Sequence, residues 1–551
     1  MADQPRTSTD PDHDVIIVGA GVCGIYQLYR LLQMDLDVTV LEAGDGVGGT
    51  WYWNRYPGAR FDSESWTYGY SFSPELLQEW NWSEHFAAQT ETQRYLQHVV
   101  DSFDLEGHMQ FGCAVERAAW NEDDRLWSVS VADGRTLSCR FLLTAVGLLS
   151  APTLPRIEGV EDFTGEAFHT YHWPKEPVDL AGKRVGIIGT GATGVQVIGA
   201  IADQVGSLTV FQRRPNWCAP LHNAPITPEE MDDIRARYDE IFARCAETPG
   251  GFIHGPVDER YFEVDRDERL ALWEELYDSP GFGIWLGNYR EVLMDEEANA
   301  EFSEFMANKI RERVEDPAVA EKLIPKDHGF GVQRVPMETK YYEAYNRDNV
   351  ELIDIAENPI ERITETGIRL SSASGPVDHE FDVIIYATGF DAITGAFDRI
   401  DFVGVDDLKL REKWVDSPIT YLGAGVAGFP NLFTLAGPTS GSVSTNFPRG
   451  IELAVDWATD LLTYAIDNGI ERLEVTEEAE QRWSDHVREM YGMLLLRKAR
   501  SWFTGYNANL DREDKPRYMI YAGGNPRYRK KLEEEAAATY PGFRFDPDPR
   551  T

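Results

Sequence analysis

Near the start of the chain an unbroken apolar run, Val15 to Val18 in DVIIVGAGVCGIYQLYRLL, gives way to a glycine turn and then to apolar positions at helical spacing. That order predicts a strand, a tight turn and a helix. A second apolar run, DVTVLEA, predicts a strand ending at Glu42. The same pattern returns 170 residues later in KRVGIIGTGATGVQVI, followed by the strand LTVFQRR. Two further buried-type runs, FLLTAVGLLSAPTLP (Phe141 to Pro155) and FDVIIYATGFD (Phe381 to Asp391), each end in a glycine-bearing turn. Between the second repeat and the last run, residues 220–325 are rich in helix formers and charge, which predicts a helical insertion forming a wall or lid.

The glycines of the two repeats carry chemistry. Gly19, Gly21 and Gly24 form GxGxxG, and Glu42 lies 23 positions after the first of them. The first glycine permits a tight turn, the second lets backbone approach a pyrophosphate, the third allows close helix packing, and the acid can hold a ribose hydroxyl. A glycine-rich turn alone would explain the loop but not the placed acid. In the second repeat Gly189, Gly191 and Gly194 fall on the same positions, while Gln212 replaces Glu42 and is followed by Arg213 and Arg214. A carboxylate there would repel a 2′-phosphate that arginine can pair bidentately. The first loop reads as FAD or NAD and the second as NADPH, against the blander view of two arginines at a solvated strand end. Together they imply a flavoenzyme in which NADPH passes hydride to FAD.

Charge narrows the partners. The 551 residues include 93 acidic and 52 basic ones, a formal charge of −41, with 12 Lys against 40 Arg. Nucleic acid and anionic membrane surfaces are disfavoured, because both need clustered cations. A high-salt interior would suit this surface, as would GC-rich codon usage with ordinary acidity. MADQPRTSTDPDHD lacks the features of a signal peptide, and no run approaches the roughly 18 apolar residues of a membrane span. A cytoplasmic protein is expected, a monomer or weak homo-oligomer. The five cysteines are odd in number, far apart and without a CxxC pair, which argues against a disulfide scaffold, a zinc ribbon or a dithiol flavin reductase, and no metal site is expected.

FTGEAFHTYHWP has the form FxGxxxHxxxWP, through Phe163, Gly165, His169, Trp173 and Pro174. GGTWYWNRYPGARFD adds Gly49, Trp51, Tyr56, Pro57, Gly58 and Asp62. On these motifs the chain resembles the type I Baeyer–Villiger monooxygenases, and within them the cycloketone branch. The likeness runs on through GVQRVPMETKYYEAYNRDNVEL, ATGFDA, FPNLFTLAGP and SWFTGYN.

The resemblance implies FAD, NADPH with NADP+ retained through the cycle, O2 and a small-molecule ketone. A flavin 4a-peroxide would add to the ketone, and the tetrahedral Criegee adduct would collapse to an ester or lactone; sulfoxidation is expected beside it. It implies that Arg334 is the cation beside the peroxide, oriented by Asp62, because a fixed charge lowers the peroxide pKa and stabilises the adduct. It extends the cofactor-binding set to Gly49, Thr50, Trp51, Asp62, Tyr68, Val115, Thr190, Thr193, Gln196, Arg334, Asn446 and Trp502, the last on a mobile loop near 498–516. His169 is either a hinge residue or a histidine bonded to backbone, and Trp173 a packing anchor. Phe447 and Trp502 are expected at the substrate pocket, with Phe61 a further aromatic whose direction is open.

The implied fold is α/β, with two Rossmann-like dinucleotide-binding domains for FAD and NADP, a helical insertion and a discontinuous FAD domain. The FAD part is expected over 1–150 and 386–551, the NADP part over 151–219 and 326–385, and the insertion over 220–325. One departure stands out: Gln333 occupies a position before Arg334 where many members carry lysine. NADPH preference would then rest on Arg213, helped by Arg214, with some NADH use. Two other readings are an N- or S-oxygenating flavin monooxygenase and a non-catalytic flavin-binding redox sensor. Asp62, Arg334 and the Trp173 and Pro174 pair favour ketone oxidation.

Overall fold

A computed structural model describes residues 11–512 and 515–550. The first ten residues, and residues 513–514 of the C-terminal loop, lie outside it. Two parallel-cored sheets carry the two glycine loops. In the first, His13–Val18 is flanked by Val38–Leu41 and Thr136–Thr144, both parallel to it. Ile16 and Ile17 are fully buried there, as expected of a strand covered on both faces. Two late strands complete this sheet: Leu432–Thr434 extends the Thr136–Thr144 edge, and Asp401–Val403 pairs with Val115–Asn121.

The second sheet is wholly parallel, in the order Val350–Asp354, Ser207–Gln212, Arg184–Ile188, Val383–Tyr386 and Glu166–His169. The fingerprint motif thus supplies its edge strand, where His169 pairs with Tyr386. A three-stranded antiparallel sheet, Ile360–Thr364, Gly367–Leu370 and Val377–Glu380, was not foreseen from the sequence. Its strands are four or five residues long, too short to give a clear period.

Helices dominate 220–325, several of them capped by side chains: Thr227 accepts from the Glu230 amide, and Asp265 from that of Glu268. This segment divides between two cores. Met231, Ile234 and Tyr238 pack into the core beneath the first sheet, whereas Trp273, Phe302, Met306 and Ile310 join the core of the second. The two chain crossings between the sheets lie side by side, with the Thr153 amide donating to Gly389 (3.0 Å) and the Asp391 amide to Ala151 (2.8 Å). No helix among the described residues is long and apolar enough to cross a membrane.

Candidate active site

The repeated glycines adopt matching backbone conformations. Gly19 and Gly189 have φ of +106° and +112°, and a Cβ on either would strike a carbonyl oxygen, of Ala145 or Ala387, on the neighbouring strand. No L side chain tolerates that combination without strain. Gly21 and Gly191 then stand at the N-terminal ends of Val22–Leu32 and Ala192–Ile201, and neither helix carries an acid in its first turn. Their free amides and positive dipole ends suit a pyrophosphate.

The surroundings of the loops differ. Gly49 lies against Gly21, so the 48–54 segment covers the first loop, while nothing lies within 4 Å of a Cβ placed on Gly191. Glu42 is buried and accepts from the amides of Ala20 (2.8 Å) and Gly44 (2.7 Å). Burial pushes its carboxyl above the usual range, against the pull of those two amides. Its counterpart Gln212 is buried too, but its Nε2 donates to the Lys322 carbonyl (2.7 Å), tying the insertion to the second sheet. Arg213 is exposed and makes no ion pair among the described residues, whereas Arg214 pairs with Asp327 (3.0 Å), donates to the Arg500 carbonyl and lies over Tyr506. The Thr190 hydroxyl donates to the Arg214 carbonyl.

Between the loops runs one cavity of about 1230 Å³. Its walls bring together Gly19, Gly21, Glu42, Gly49, Thr50, Trp51, Asp62, Tyr68, Val115, Thr193, Gln196, Arg334, Asn446, Phe447 and Trp502. Gly24, Gly189, Thr190, Gly191, Gly194, Arg213 and Arg214 stand outside this lining. Asp62 and Arg334 meet on its wall, Nη2 donating to Oδ2 at 3.1 Å, although 272 residues separate them. Burial raises the Asp62 carboxyl to about 6, opposed by the Arg334 guanidinium, the Met337 amide and Arg60. Arg334 also lies over the rings of Phe282 (4.6 Å) and Trp285 (5.7 Å), and burial lowers its pKa while Asp62 resists the shift. Its charge persists at any working pH.

The strap carrying Asp62 is fastened from the second loop. The Tyr56 hydroxyl donates to Gln196 Oε1 (2.9 Å), and Gln196 Nε2 donates to the Arg60 carbonyl (3.0 Å). Phe61 faces the cavity, stacked on Tyr68 at 4.3 Å and edge-on to Trp51, whose Nε1 donates to the Tyr68 hydroxyl. Asn446 donates to Thr67, while its buried Oδ1 has no partner among the described residues. The amides at the N-terminal end of Val22–Leu32, whose Gly21 and Val22 line the cavity, fit a bound dinucleotide.

Phe163, Gly165, His169, Trp173 and Pro174 of the fingerprint stand outside the cavity lining, whereas Tyr171 and His172, between His169 and Trp173, belong to it. A Cβ on Gly165 would meet the Phe163 ring and the Asp382 carbonyl, and Trp173 is buried against Phe168, with Pro174 next in the chain. His169 Nδ1 accepts from the Tyr171 amide (3.1 Å), its ring stands edge-on to Phe390 of a chain crossing, and burial lowers it to about 4. The C-terminal loop reaches the same crossings: Asn507 Nδ2 donates to Phe390 (2.6 Å) and Asn509 Nδ2 to Thr388 (3.0 Å), five and seven residues beyond Trp502. Sequence reasoning missed Phe252, His254, Phe282, Trp285 and Met294, all cavity residues from the insertion. Nothing in a charge-rich helical stretch marks them out.

The family model for pyridine nucleotide-disulphide oxidoreductases matches residues 16–245. All five cysteines are free and buried, so the match reflects the nucleotide fold. The chain is 46% identical over 97% of its length, and 98% of the relative's, to 2-oxo-Delta(3)-4,5,5-trimethylcyclopentenylacetyl-CoA monooxygenase of Pseudomonas putida. It is 38% identical to a Baeyer–Villiger monooxygenase of Pseudooceanicola batsensis, over 95% of this chain and 94% of that one. A crystal structure of OTEMO with FAD and NADP superposes with a TM-score of 0.93 at 45% identity, covering 97% of this chain and all of the other. The chain therefore belongs to the Baeyer–Villiger monooxygenases, enzymes that use FAD and NADPH to insert one atom of O2 beside a ketone carbonyl and release an ester or lactone.

Proposed function

We propose that Arg334 is the catalytic cation of this reaction and Asp62 the carboxylate that aims it. The observation that carries this reading is the Asp62 and Arg334 pair on the wall of the cavity joining the two loops. When bound, FAD accepts the hydride of NADPH and supplies the activated oxygen. Arg334 holds a positive charge where negative charge develops on the reacting oxygens, a contact worth about 3 kcal/mol in a dry site. Phe282 and Trp285 fix the guanidinium from the side while Asp62 fixes it from the end, so little reorganisation is needed at the moment of reaction. Ionised Asp62 also keeps Arg334 from pairing with any other acid.

In this reading the first loop, with Glu42, Gly49, Thr50, Trp51, Tyr68, Val115 and Asn446, holds FAD. The second, with Thr190, Thr193, Gln196 and the two arginines, holds NADPH. Arg213 supplies the 2′-phosphate contact, since Arg214 is engaged by Asp327 and Gln333 is neutral. Trp502 closes the pocket over NADP, and Phe61 and Phe447 shape its substrate end. The FAD part comprises 1–150 and 386–551, the NADP part 151–219 and 326–385, and the insertion 220–325. The enzyme acts in the cytoplasm as a monomer or weak homo-oligomer, without nucleic acid or membrane. Like its Pseudomonas putida relative it takes a cyclic ketone, and it sulfoxidises thioethers as a side activity. Product analysis with cyclic, linear and aryl ketones, using NADPH and NADH in parallel, tests this; absence of ester or lactone throughout would overturn it.

A further inference from the structure

Tyr171 and His172 line the cavity, although they fill two of the three open positions between His169 and Trp173 in FxGxxxHxxxWP. Tyr171 lies just beyond Glu166–His169, the edge strand of the second sheet. Its ring reaches the segment that covers the first glycine loop, where it stacks on Trp53 with centroids 5.5 Å apart and planes 15° from parallel. His172 stands edge-on to both rings, 6.0 Å from Trp53 and 5.0 Å from Tyr171. One sheet thus grips the cover of the other sheet's loop.

Trp53 belongs to that cover. Its amide donates to the Gly49 carbonyl (3.1 Å), and Gly49 is the residue packed on Gly21. Its indole also stands beside the acid of the first loop: a Cβ placed on Gly44 would lie 3.1 Å from both the Trp53 ring and Glu42 Oε1. Tyr171 in turn is held from behind. It is 6% exposed, its amide donates to His169 Nδ1 (3.1 Å), and its ring is edge-on to Phe390 at 5.7 Å, whose carbonyl accepts from Asn507. Lifting the cover away from Glu42 separates Trp53 from Tyr171, and an aromatic pair opposes that motion by more than the area it buries.

We propose that Tyr171 is a positioning residue that holds Trp53 over the ribose end of the first loop and so slows release of the dinucleotide bound there, FAD on the assignment above. The proposal rests on that assignment, and the test separates the two. FAD release from the holoenzyme is followed below its melting transition by the rise in free-flavin fluorescence, in wild type, Tyr171→Leu, Tyr171→Phe, Trp53→Leu and the double variant Tyr171→Leu/Trp53→Leu. The Kd of NADP+ is read in parallel from its perturbation of the flavin spectrum. Tyr171→Leu keeps an apolar side chain in a buried place and removes the ring face. It should release FAD about 5- to 10-fold faster, the worth of one aromatic pair, while Tyr171→Phe stays within about twofold of wild type. Because Tyr171 acts through Trp53, the double variant should release FAD no faster than Trp53→Leu alone. The NADP+ Kd should change less than about twofold, since the stack covers the other loop. FAD release and NADP+ affinity both unchanged in Tyr171→Leu, or effects that multiply in the double variant, would overturn the clasp and leave the loop assignment standing. A raised NADP+ Kd with FAD release unchanged would support the clasp and overturn the assignment of FAD to the first loop.

Discussion

The two glycine loops are alike in backbone and opposite in setting. Gly19 and Gly189 share a φ near +110°, and each is barred from carrying a side chain by a carbonyl of the neighbouring strand. Yet the first loop is roofed by Gly49 and backed by a buried acid, while the second is open at Gly191 and the exposed Arg213 follows its second strand, Ser207–Gln212. Enclosure excludes water and lengthens the residence of a bound group; an open face with a cation that makes no ion pair among the described residues favours exchange. On the assignment proposed above, that is the division of labour between a resident FAD and an exchanging NADPH. The duplicated turn supplies phosphate binding in both, and the environment decides what each does with it.

Substituting the strained glycines tests this contrast most severely. Gly19→Val should yield protein without flavin, read as loss of the absorbance near 450 nm, an approximate position for an oxidised flavin. Gly189→Val should stay yellow while its reduction by NADPH slows at least ~100-fold, a loss of order 3 kcal/mol in binding. Equal flavin loss in both would dissolve the distinction. At the seam between the loops, Arg334→Ala should lower ketone turnover by about 10² to 10³ while stopped-flow flavin reduction persists.

Next come the two arginines. Arg213→Ala should raise the NADPH KM about 10- to 100-fold, the worth of a charge-assisted contact, and leave the NADH KM nearly unchanged. Arg214→Ala, already paired with Asp327, should do less, and the reverse order would relocate the 2′-phosphate. The pH profile is a milder test. With Asp62 raised to about 6, its ionised share falls about tenfold between pH 7 and 5, and turnover should fall with it. Stability runs the other way: a carboxyl raised in the folded state contributes fully below the unfolded value and loses that contribution as pH rises through 6. Asp62→Asn should therefore melt higher than wild type at pH 8 while turning over more slowly. Smallest is the salt effect. With a formal charge of −41, added salt screens the general repulsion of NADPH but also weakens the Arg213 contact, so a change of only a few-fold in KM is expected. A net gain in affinity would favour a high-salt native setting.

Much of the site was legible because its parts are local. A GxGxxG turn needs its glycines within six residues, and the acid follows at the end of the next strand, so Gly19, Gly21, Gly24 and Glu42 declare themselves without any knowledge of packing. Arg213 and Arg214, in contrast, look equivalent along the chain and separate only when Asp327 engages one of them. Gln212 reads as a lost ribose ligand, and its bond to Lys322 shows only in three dimensions. The insertion reads as one charged helical block, yet Met231 and Phe302 belong to different cores.

By itself the sequence determined the duplicated loops, the charge difference between them and the fingerprint that leads to the family. These are short-range patterns, written in backbone conformations that few residue types can adopt. Only the tertiary structure decided which loop is enclosed, which arginine is left without an ion pair among the described residues, and that Asp62 reaches Arg334. The Asp62 and Arg334 contact joins residues 272 positions apart, and Arg214 and Asp327 lie 113 apart; such partners are selected by the packing of whole sheets and helices, which no local spacing encodes.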